Sequence, residues 1–212
     1  MIISASYKTD IPAFYGKWFM NRLQAGYCKT INPYGKQVYR IDMRPGTVEG
    51  IIFWTKNIHP FLKYLPTIRD MGYPFFIQYT INNYPRTFEF SVIDADKSVD
   101  AVRQITSQFG VNSVVWRYDT IILSSITPYE YHLINFENLC KKMSGLVNEV
   151  VISFAQIYRK TLRNMNWAAH EFNFTWNDPE NQIKLNLTAE LAEIAASHKI
   201  QLTMCAQPEY IV

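Results

Sequence analysis

Short apolar runs that end in polar residues recur along this chain, and a stretch with helical spacing follows most of them. The clearest run is 51–57, Ile-Ile-Phe-Trp-Thr-Lys-Asn, which is apolar until its last three positions. A continuous apolar run of this length is typical of a strand that is buried on both faces. A helical pattern begins directly after it and covers 60–70, so this segment predicts one strand–helix unit.

The same plan predicts six strands that alternate with helices. We predict strands at 1–6, 51–56, 74–81, 113–119, 149–154 and 200–205, and helices at 12–26, 60–72, 96–109, 127–144 and 186–197. Such alternation indicates a mostly parallel sheet with right-handed connections. The predicted fold class is therefore α/β, a partial (β/α)6 TIM-like barrel that spans 1–212 as a single domain. A doubly wound sheet is the alternative.

Two segments depart from this plan. Residues 27–43 hold two polar–apolar alternating runs around Asn-Pro-Tyr-Gly at 32–35, which predicts a β-hairpin inserted after the first helix. Residues 165–179 are rich in aromatic side chains and lack a regular period. We predict an irregular segment there that serves as a lid or as packing, with stacking on nucleobases as the alternative.

Polar side chains share one face of several predicted strands and gather toward the carboxyl ends. Because side chains alternate along a strand, Gln78 and Thr80 share a face, as do Arg117 and Asp119. Sites in parallel α/β folds lie at the carboxyl ends of strands. We therefore predict one pocket lined by Ser4, Ser6, Thr55, Gln78, Thr80, Arg117, Asp119, Ser153 and Cys205. Its predicted rim consists of Lys8, Asp10, Lys56, Asn57 and Arg159.

The residue types indicate what this pocket binds. Lys56 and Arg117 suit a phosphate or carboxylate, and Gln78 and Thr80 suit the orientation of a substrate. Asp119 or Asp10 suits a general base. We therefore predict an anionic, nucleotide-like ligand. For Arg117 and Asp119 the alternative is an internal ion pair that holds strands together.

Composition narrows the class of protein. Apolar residues make up 48% and charged residues 18%, which is typical of a globular chain, and the net charge of +3 permits an anionic partner without requiring one. Cys28, Cys140 and Cys205 lie far apart, which favours a reducing cytosol over a disulfide framework. The chain has no signal-peptide pattern and no apolar stretch long enough to span a bilayer. We therefore expect a cytoplasmic protein without a membrane partner.

Common motifs for catalysis and nucleotide binding are absent from the sequence. It contains no Gly-x-Gly-x-x-Gly, no Gly-x-x-x-x-Gly-Lys-Ser/Thr and no Gly-x-Ser-x-Gly. The four histidines show no metal-binding spacing, so we interpret each as a surface or packing residue and expect no metal site. Cys205 is either a nucleophile or a buried inert thiol.

Several long motifs nevertheless resemble a bacterial family, domain of unknown function 1848. They are Met-Ile-Ile-Ser-Ala-Ser at 1–6, Thr-Asp-Ile-Pro-Ala-Phe-Tyr at 9–15, Trp-Phe-Met-Asn-Arg-Leu at 18–23, Phe-Trp-Thr-Lys-Asn at 53–57, Trp-Arg-Tyr-Asp at 116–119 and Val-Ile-Ser-Phe at 151–154. The resemblance covers nearly the whole chain and implies a radical-SAM-like barrel. It also implies a carboxyl-terminal cysteine cluster, similar to the one that binds an iron–sulfur cluster in enzymes that use S-adenosylmethionine.

This sequence departs from the family in that cluster. It ends at Val212, soon after Cys205, and its scattered cysteines do not supply three closely spaced thiolates. We therefore expect no cofactor in this chain, either because it is a shortened form or because radical chemistry has been lost. If the protein is an enzyme, its ancestry is related to radical SAM enzymes.

Three functions stay open on the sequence alone. The first is a small-molecule site in the predicted pocket. The second is a nucleic-acid-binding module without catalysis, with phosphate contacts from Arg40, Arg44, Arg159, Lys160 and Arg163. The third is a degenerate barrel that acts through partner proteins.

Overall fold

The protein is mixed α/β, as the sequence predicts. A computed structural model describes residues 1–6, 9–32 and 34–211. They fall into two compact units, Met1–Tyr79 and Thr80–Val212. Each unit combines helices with strands that pair in parallel, so the α/β class is confirmed.

Unit 1 combines a parallel sheet with a separate antiparallel ribbon. The parallel strands are β1 (Ile2–Ala5), β4 (Gly50–Thr55) and β5 (Phe75–Thr80), in the order β1–β4–β5. The ribbon consists of β2 (Tyr27–Ile31) and β3 (Val38–Asp42). The helices are α1 (Ile11–Phe14), α2 (Gly16–Ala25) and α3 (Leu65–Asp70), the last preceded by the 3₁₀ helix His59–Tyr64. The ribbon confirms the predicted hairpin.

An aromatic cluster on one face of β4 holds unit 1 together. The ring of Phe53 on β4 lies 5.4 Å from that of Phe19 on α2 and 4.9 Å from that of Phe61 in the 3₁₀ helix. Edge-to-face contacts at these distances add to the stabilisation from burial. Helix α2 approaches the 3₁₀ helix so closely that a Cβ at Gly16 would lie 2.8 Å from the Tyr64 ring. A residue without a side chain is therefore required there.

Unit 2 contains three parallel strands and longer helices. Its strands are β6 (Val114–Ile121), β7 (Glu149–Phe154) and β8 (Gln201–Met204), in the order β6–β7–β8. Its helices are α4 (Ala95–Phe109), α5 (Tyr129–Met143), α6 (Arg159–Glu171) and α7 (Asn181–Ser197). Short 3₁₀ helices lie at Val111–Ser113 and Pro208–Tyr210.

The apolar face of β6 packs against helix α5. Trp116 stacks on Phe136 of α5 with 5.2 Å between ring centroids, and Tyr118 meets the same ring edge-on at 5.1 Å. Since successive side chains of a strand point to opposite faces, Arg117 and Asp119 lie on the face away from α5. This matches the alternation predicted from the sequence.

The predicted irregular segment at 165–179 was partly wrong. Helix α6 covers 159–171, and α7 begins at 181 rather than 186. Met165 is the one buried residue of α6 among those described, so this helix buries little of its surface.

The barrel expected from the sequence is not confirmed. Among the described residues the strands of each unit follow a linear order, and no closed barrel is present. The single-domain organisation stays a prediction. None of the helices in the described part of the chain is long and apolar enough to cross a membrane.

Candidate functional site

The register of the unit 2 sheet brings three of the predicted residues into one row. Asp119 on β6 lies opposite Ser153 on β7. The Cys205 amide, just past β8, donates to the carbonyl of Ile152 at 2.9 Å, which places Cys205 beside Ser153. Because the strands are parallel, the row lies at their carboxyl ends, the position at which α/β folds build sites.

Arg117 and Asp119 form a buried ion pair within this row. The Arg117 Nε lies 3.0 Å from Asp119 Oδ2, and Nη2 bonds the same oxygen. Arg117 is only 6% exposed. Burial by itself lowers the pKa of Arg117, but hydrogen bonds and charge from Asp119 and Cys205 outweigh it and raise the pKa. The guanidinium therefore stays charged, and it holds Asp119 and Cys205 in place.

The loop after β5 fixes the backbone of the row. Asn82 is buried, and its Nδ2 donates to the Asp119 carbonyl at 3.0 Å and to Glu89 Oε1 at 3.1 Å. A polar, solvent-open cavity lies along this loop and is lined by Asn83, Tyr84, Arg86, Glu89, Val92, Ile93, Asp94 and Ala95. The loop thus connects a polar cavity to the strand that carries Asp119.

A mostly apolar, solvent-open cleft lies where β6 and β7 end. One wall is formed by the residues that follow Asp119 and Ser153 in the chain. The other wall is formed by α6 and the segment after it. The lining residues are Ile121, Ile122, Leu123, Phe154, Ala155, Ile157, Met165, Trp176, Asn177, Asp178 and Pro179. The polar strand ends in the sequence do not mark this cleft, because its lining is mostly apolar.

A buried lysine anchors the segment that walls this cleft. Lys184 Nζ lies 2.8 Å from Asp178 Oδ1, and the Lys184 side chain is only 8% exposed. The same ammonium lies 5.4 Å from the centre of the Tyr210 ring, whose hydroxyl donates to Asn181 at 2.8 Å. A buried ammonium needs such partners because desolvation is otherwise costly. Spacing along the chain does not mark this lysine as buried, since it lies between Ile183 and Leu185 on a helix.

His132 belongs to a neutral network under the row. Its Nε2 lies 3.0 Å from the Ile122 carbonyl, which can only accept, so Nε2 carries the proton and Nδ1 accepts from the Tyr118 hydroxyl at 3.0 Å. Asn135 Nδ2 also donates to that hydroxyl at 3.1 Å. Burial lowers the pKa of His132 from 6.5 to about 4. The network therefore stays uncharged at neutral pH, which suits a packing role.

Asp10 in unit 1 is occupied by three hydrogen bonds. Its Oδ1 accepts from the Ala13 amide at 2.9 Å, which caps α1. Its Oδ2 accepts from Thr55 Oγ1 at 2.9 Å and from the Lys56 amide at 2.8 Å. The carboxylate thus joins the start of α1 to the end of β4, which indicates a structural role.

Thr55 differs from its predicted position. In the register of β4 and β5, Trp54 lies opposite Gln78, and Thr55 lies opposite Tyr79. Thr55 therefore shares a face with Phe53, under the helices, whereas Gln78 lies on the other face. The expectation that Thr55 lines a pocket beside Gln78 is corrected, because the strand period of two separates them.

The remaining predicted residues are placed as follows. Ser4 is exposed and accepts from Trp54 Nε1 at 3.0 Å, and Ser6 accepts weakly from the Ile11 amide at 3.4 Å. Asn57 accepts from the His59 amide at 3.2 Å. Lys56 and Arg159 are exposed, and Gln78 and Thr80 are half-buried. Lys8 lies outside the described residues.

We expect Asp10→Ala to lower the free energy of unfolding by about 2 kcal/mol, because it removes a helix cap and leaves two further donors without an acceptor. Urea denaturation followed by circular dichroism measures this. Asp70→Ala, at the end of α3, is the matched control and should change stability little. An Asp10→Ala variant as stable as the wild type would contradict the structural role.

The cysteines do not fit an iron–sulfur cluster. Cys140 on α5 is fully buried, and burial raises the pKa of its thiol to about 12. Helix α5 packs on the face of β6 opposite Arg117, and Cys205 contacts Arg117, so these two thiols lie on opposite sides of the sheet. Cys28 lies on β2 in unit 1. Among all described residues, no group of three or more His, Cys, Asp or Glu side chains is arranged to hold a metal ion.

Comparison with known proteins identifies the family. The sequence model of the family described as Domain of unknown function (DUF1848) matches residues 2–212. This confirms the resemblance carried by the motifs. No curated protein and no solved structure matches the chain.

Proposed function

The chain belongs to the Domain of unknown function (DUF1848) family, and from the geometry of unit 2 we propose that it binds a small anionic, nucleotide-like ligand at the carboxyl ends of β6 and β7. The observation that carries this proposal is the apolar cleft directly beyond the polar row of Asp119, Ser153 and Cys205. A flat apolar group next to a polar one is the chemistry of a nucleoside. The partial TIM-like barrel and the cytoplasmic location inferred from the sequence remain part of this proposal.

The cleft suits the apolar part of such a ligand. Its walls are almost entirely apolar, so they suit the flat face of a base rather than a charged group. Trp176 offers an aromatic wall, and its Nε1 donates to Asn166 at 3.1 Å, which fixes the ring. Asn177 at the cleft supplies polar groups for the edge of a base.

Arg159 is the residue that we propose for the anionic part. It is exposed, begins α6, and follows Ile157 of the cleft by two residues. No carboxylate among the described residues pairs with it. The amino end of a helix also favours negative charge. Arg117 is a poorer anchor than its charge suggests, because Asp119 and Cys205 already occupy its donors; we propose it as a positioning residue.

Asp119 is the residue that we propose for proton transfer. Its side chain is 15% exposed, and Arg117 Nε and Nη2 both bond its Oδ2, so we propose that Oδ1 meets the ligand. Asp10 is a weaker candidate because its oxygens already accept three hydrogen bonds. Lys56 and Gln78 in unit 1 stay predictions from the sequence.

Isothermal titration with AMP and with adenosine tests this proposal. We expect both ligands to bind the wild type. Arg159→Ala should lower the affinity for AMP about tenfold and leave the affinity for adenosine unchanged, since one exposed charge-assisted contact is worth about 1.4 kcal/mol. Trp176→Ala should weaken both ligands. Arg103→Ala is the matched control, because Arg103 is an exposed arginine on α4, far along the chain from the cleft.

Two results would contradict the proposal. The first is a wild-type protein that binds neither AMP nor adenosine. The second is an equal loss of AMP affinity in Arg159→Ala and Arg103→Ala, which would attribute binding to overall charge rather than to the cleft.

A further inference from the structure

Positive charge is concentrated in and beside the β2–β3 ribbon of unit 1. Residues 22–44 contain five basic side chains and one acidic side chain, a formal charge of +4, compared with +3 for the whole chain. The one carboxylate, Asp42, is bound by Arg44, whose Nη2 lies 2.5 Å from Asp42 Oδ2. Arg44, predicted to contact phosphate, is therefore already paired.

Two of the remaining cations face each other across the ribbon. Lys29 and Arg40 are register partners, so their side chains leave the same face at adjacent positions. Like charges placed opposite each other destabilise a strand pair. No carboxylate in the described part of the chain pairs with either of them. The Arg40 guanidinium lies 4.3 Å from the centre of the Tyr27 ring, and that of Arg22 lies 5.9 Å from it. An anion between these cations would relieve their repulsion.

The ribbon is open to solvent on both faces. Residues 29–31 and 34–40 are all exposed, and Tyr34 at the tip is 96% exposed. Ile31 and Val38, register partners near the tip, expose 59% and 60% of their surface. An exposed ribbon with clustered basic side chains is typical of a nucleic-acid contact surface.

We propose that the β2–β3 ribbon binds double-stranded DNA by entering its major groove. Two strands lie about 4.8 Å apart and five residues extend about 17 Å, and the groove, about 12 Å wide, admits a ribbon of two strands. Lys29 and Arg40 contact phosphates, and Tyr34 reaches base edges at the tip. A-form RNA has a deep, narrow major groove that excludes such a ribbon, so the proposal commits to DNA.

Fluorescence anisotropy with a labelled DNA duplex of roughly 20 base pairs, measured over a salt series, tests this inference. We expect the double variant Lys29→Ala/Arg40→Ala to bind about thirtyfold more weakly at low salt. Its slope of log affinity against log salt should be shallower by about 2, since two phosphate contacts are lost. Tyr34→Ala should weaken binding severalfold without changing the slope. An RNA duplex of the same sequence should bind about tenfold more weakly than the DNA.

The control is Arg103→Ala/Lys141→Ala, which removes the same charge from helices of unit 2. Arg103 and Lys141 are exposed and pair with Asp100 at 2.9 Å and Glu137 at 2.8 Å. We expect this variant to keep its DNA affinity within about threefold and its salt slope within about 1. Circular dichroism and thermal unfolding check that each variant is folded, and AMP titration of the ribbon variants should give unchanged affinity because they leave the cleft residues unchanged.

The inference is overturned by a wild type that does not bind duplex DNA, or by equal losses in the two double variants. Equal affinity for DNA and RNA duplexes would also overturn it, because groove entry would then play no part. If Lys29→Ala/Arg40→Ala lost the same factor of affinity for vesicles of anionic lipid, the ribbon would be assigned to membranes and the proposal would be overturned. DNA affinity that is lost in Tyr34→Ala but kept in Lys29→Ala/Arg40→Ala would show that Lys29 and Arg40 do not contact phosphates. That result would also refute the proposal.

Discussion

Replacing Asp119 with alanine is expected to lower the free energy of unfolding by about 3–5 kcal/mol, because the change leaves a buried arginine charge without its partner. Arg117 is 6% exposed, and two of its donors bond one Asp119 oxygen. Its contact with Cys205 does not replace the carboxylate charge. Urea denaturation at neutral pH, followed by circular dichroism and tryptophan fluorescence, measures the change.

An exposed pair of the same chemistry provides the control for this experiment. Asp100 and Arg103 on α4 are also joined at 2.9 Å, but their side chains are 71% and 59% exposed. Asp100→Ala should therefore cost only about 0–1 kcal/mol. Equal losses for Asp119→Ala and Asp100→Ala would show that burial does not govern the Arg117–Asp119 pair. Arg117→Leu/Asp119→Leu together should be less destabilising than Asp119→Ala alone, since no buried charge is left unpaired.

Stability is expected to fall by about 3 kcal/mol as the pH decreases from about 6.5 to about 4, owing to His132 alone. The folded protein keeps this side chain neutral because burial lowers its pKa from 6.5 to about 4. The unfolded chain takes up a proton at the higher pH, so protons favour unfolding throughout this window. Below about pH 4 both states are protonated and the contribution of His132 levels off.

A variant without a titratable side chain at position 132 separates the contribution of His132 to stability from that of the carboxylates, which also change charge in acid. His132→Gln keeps a donor for the Ile122 carbonyl and an acceptor for the Tyr118 hydroxyl. We expect its stability to depend less steeply on pH than that of the wild type between pH 6.5 and 4, by about 3 kcal/mol over the window. Parallel curves for the two proteins would contradict the buried, neutral state of His132.

These two experiments also bear on the proposed ligand site. Arg117, Asp119 and the His132 network are on opposite faces of β6, and together they fix the strand end that precedes the cleft. A site that binds ligand with few contacts depends on such fixed surroundings. Asp119→Ala should therefore lower the affinity for AMP even if no proton is transferred. Arg159→Ala should lower the affinity for AMP without loss of stability. The comparison separates positioning from direct contact.

The sequence by itself determined which segments are strands, most helices and the inserted hairpin. Apolar runs at 51–56 and 149–154 and the turn at 32–35 gave strands and a ribbon within a few residues of their observed bounds. The period of two also assigned Arg117 and Asp119 to one face of β6. These features are local, since they depend on spacing along a few residues and on turn residues with fixed backbone preferences.

Only the tertiary structure decided how those segments are used. Helix α6 was missed because it buries little, and the cleft was missed because its walls come from segments distant in sequence. Asp10 was predicted as a base, but its three donors come from α1 and β4 and make it a structural link. Burial and hydrogen-bond partners depend on which segments meet in space, so spacing along the chain does not encode them.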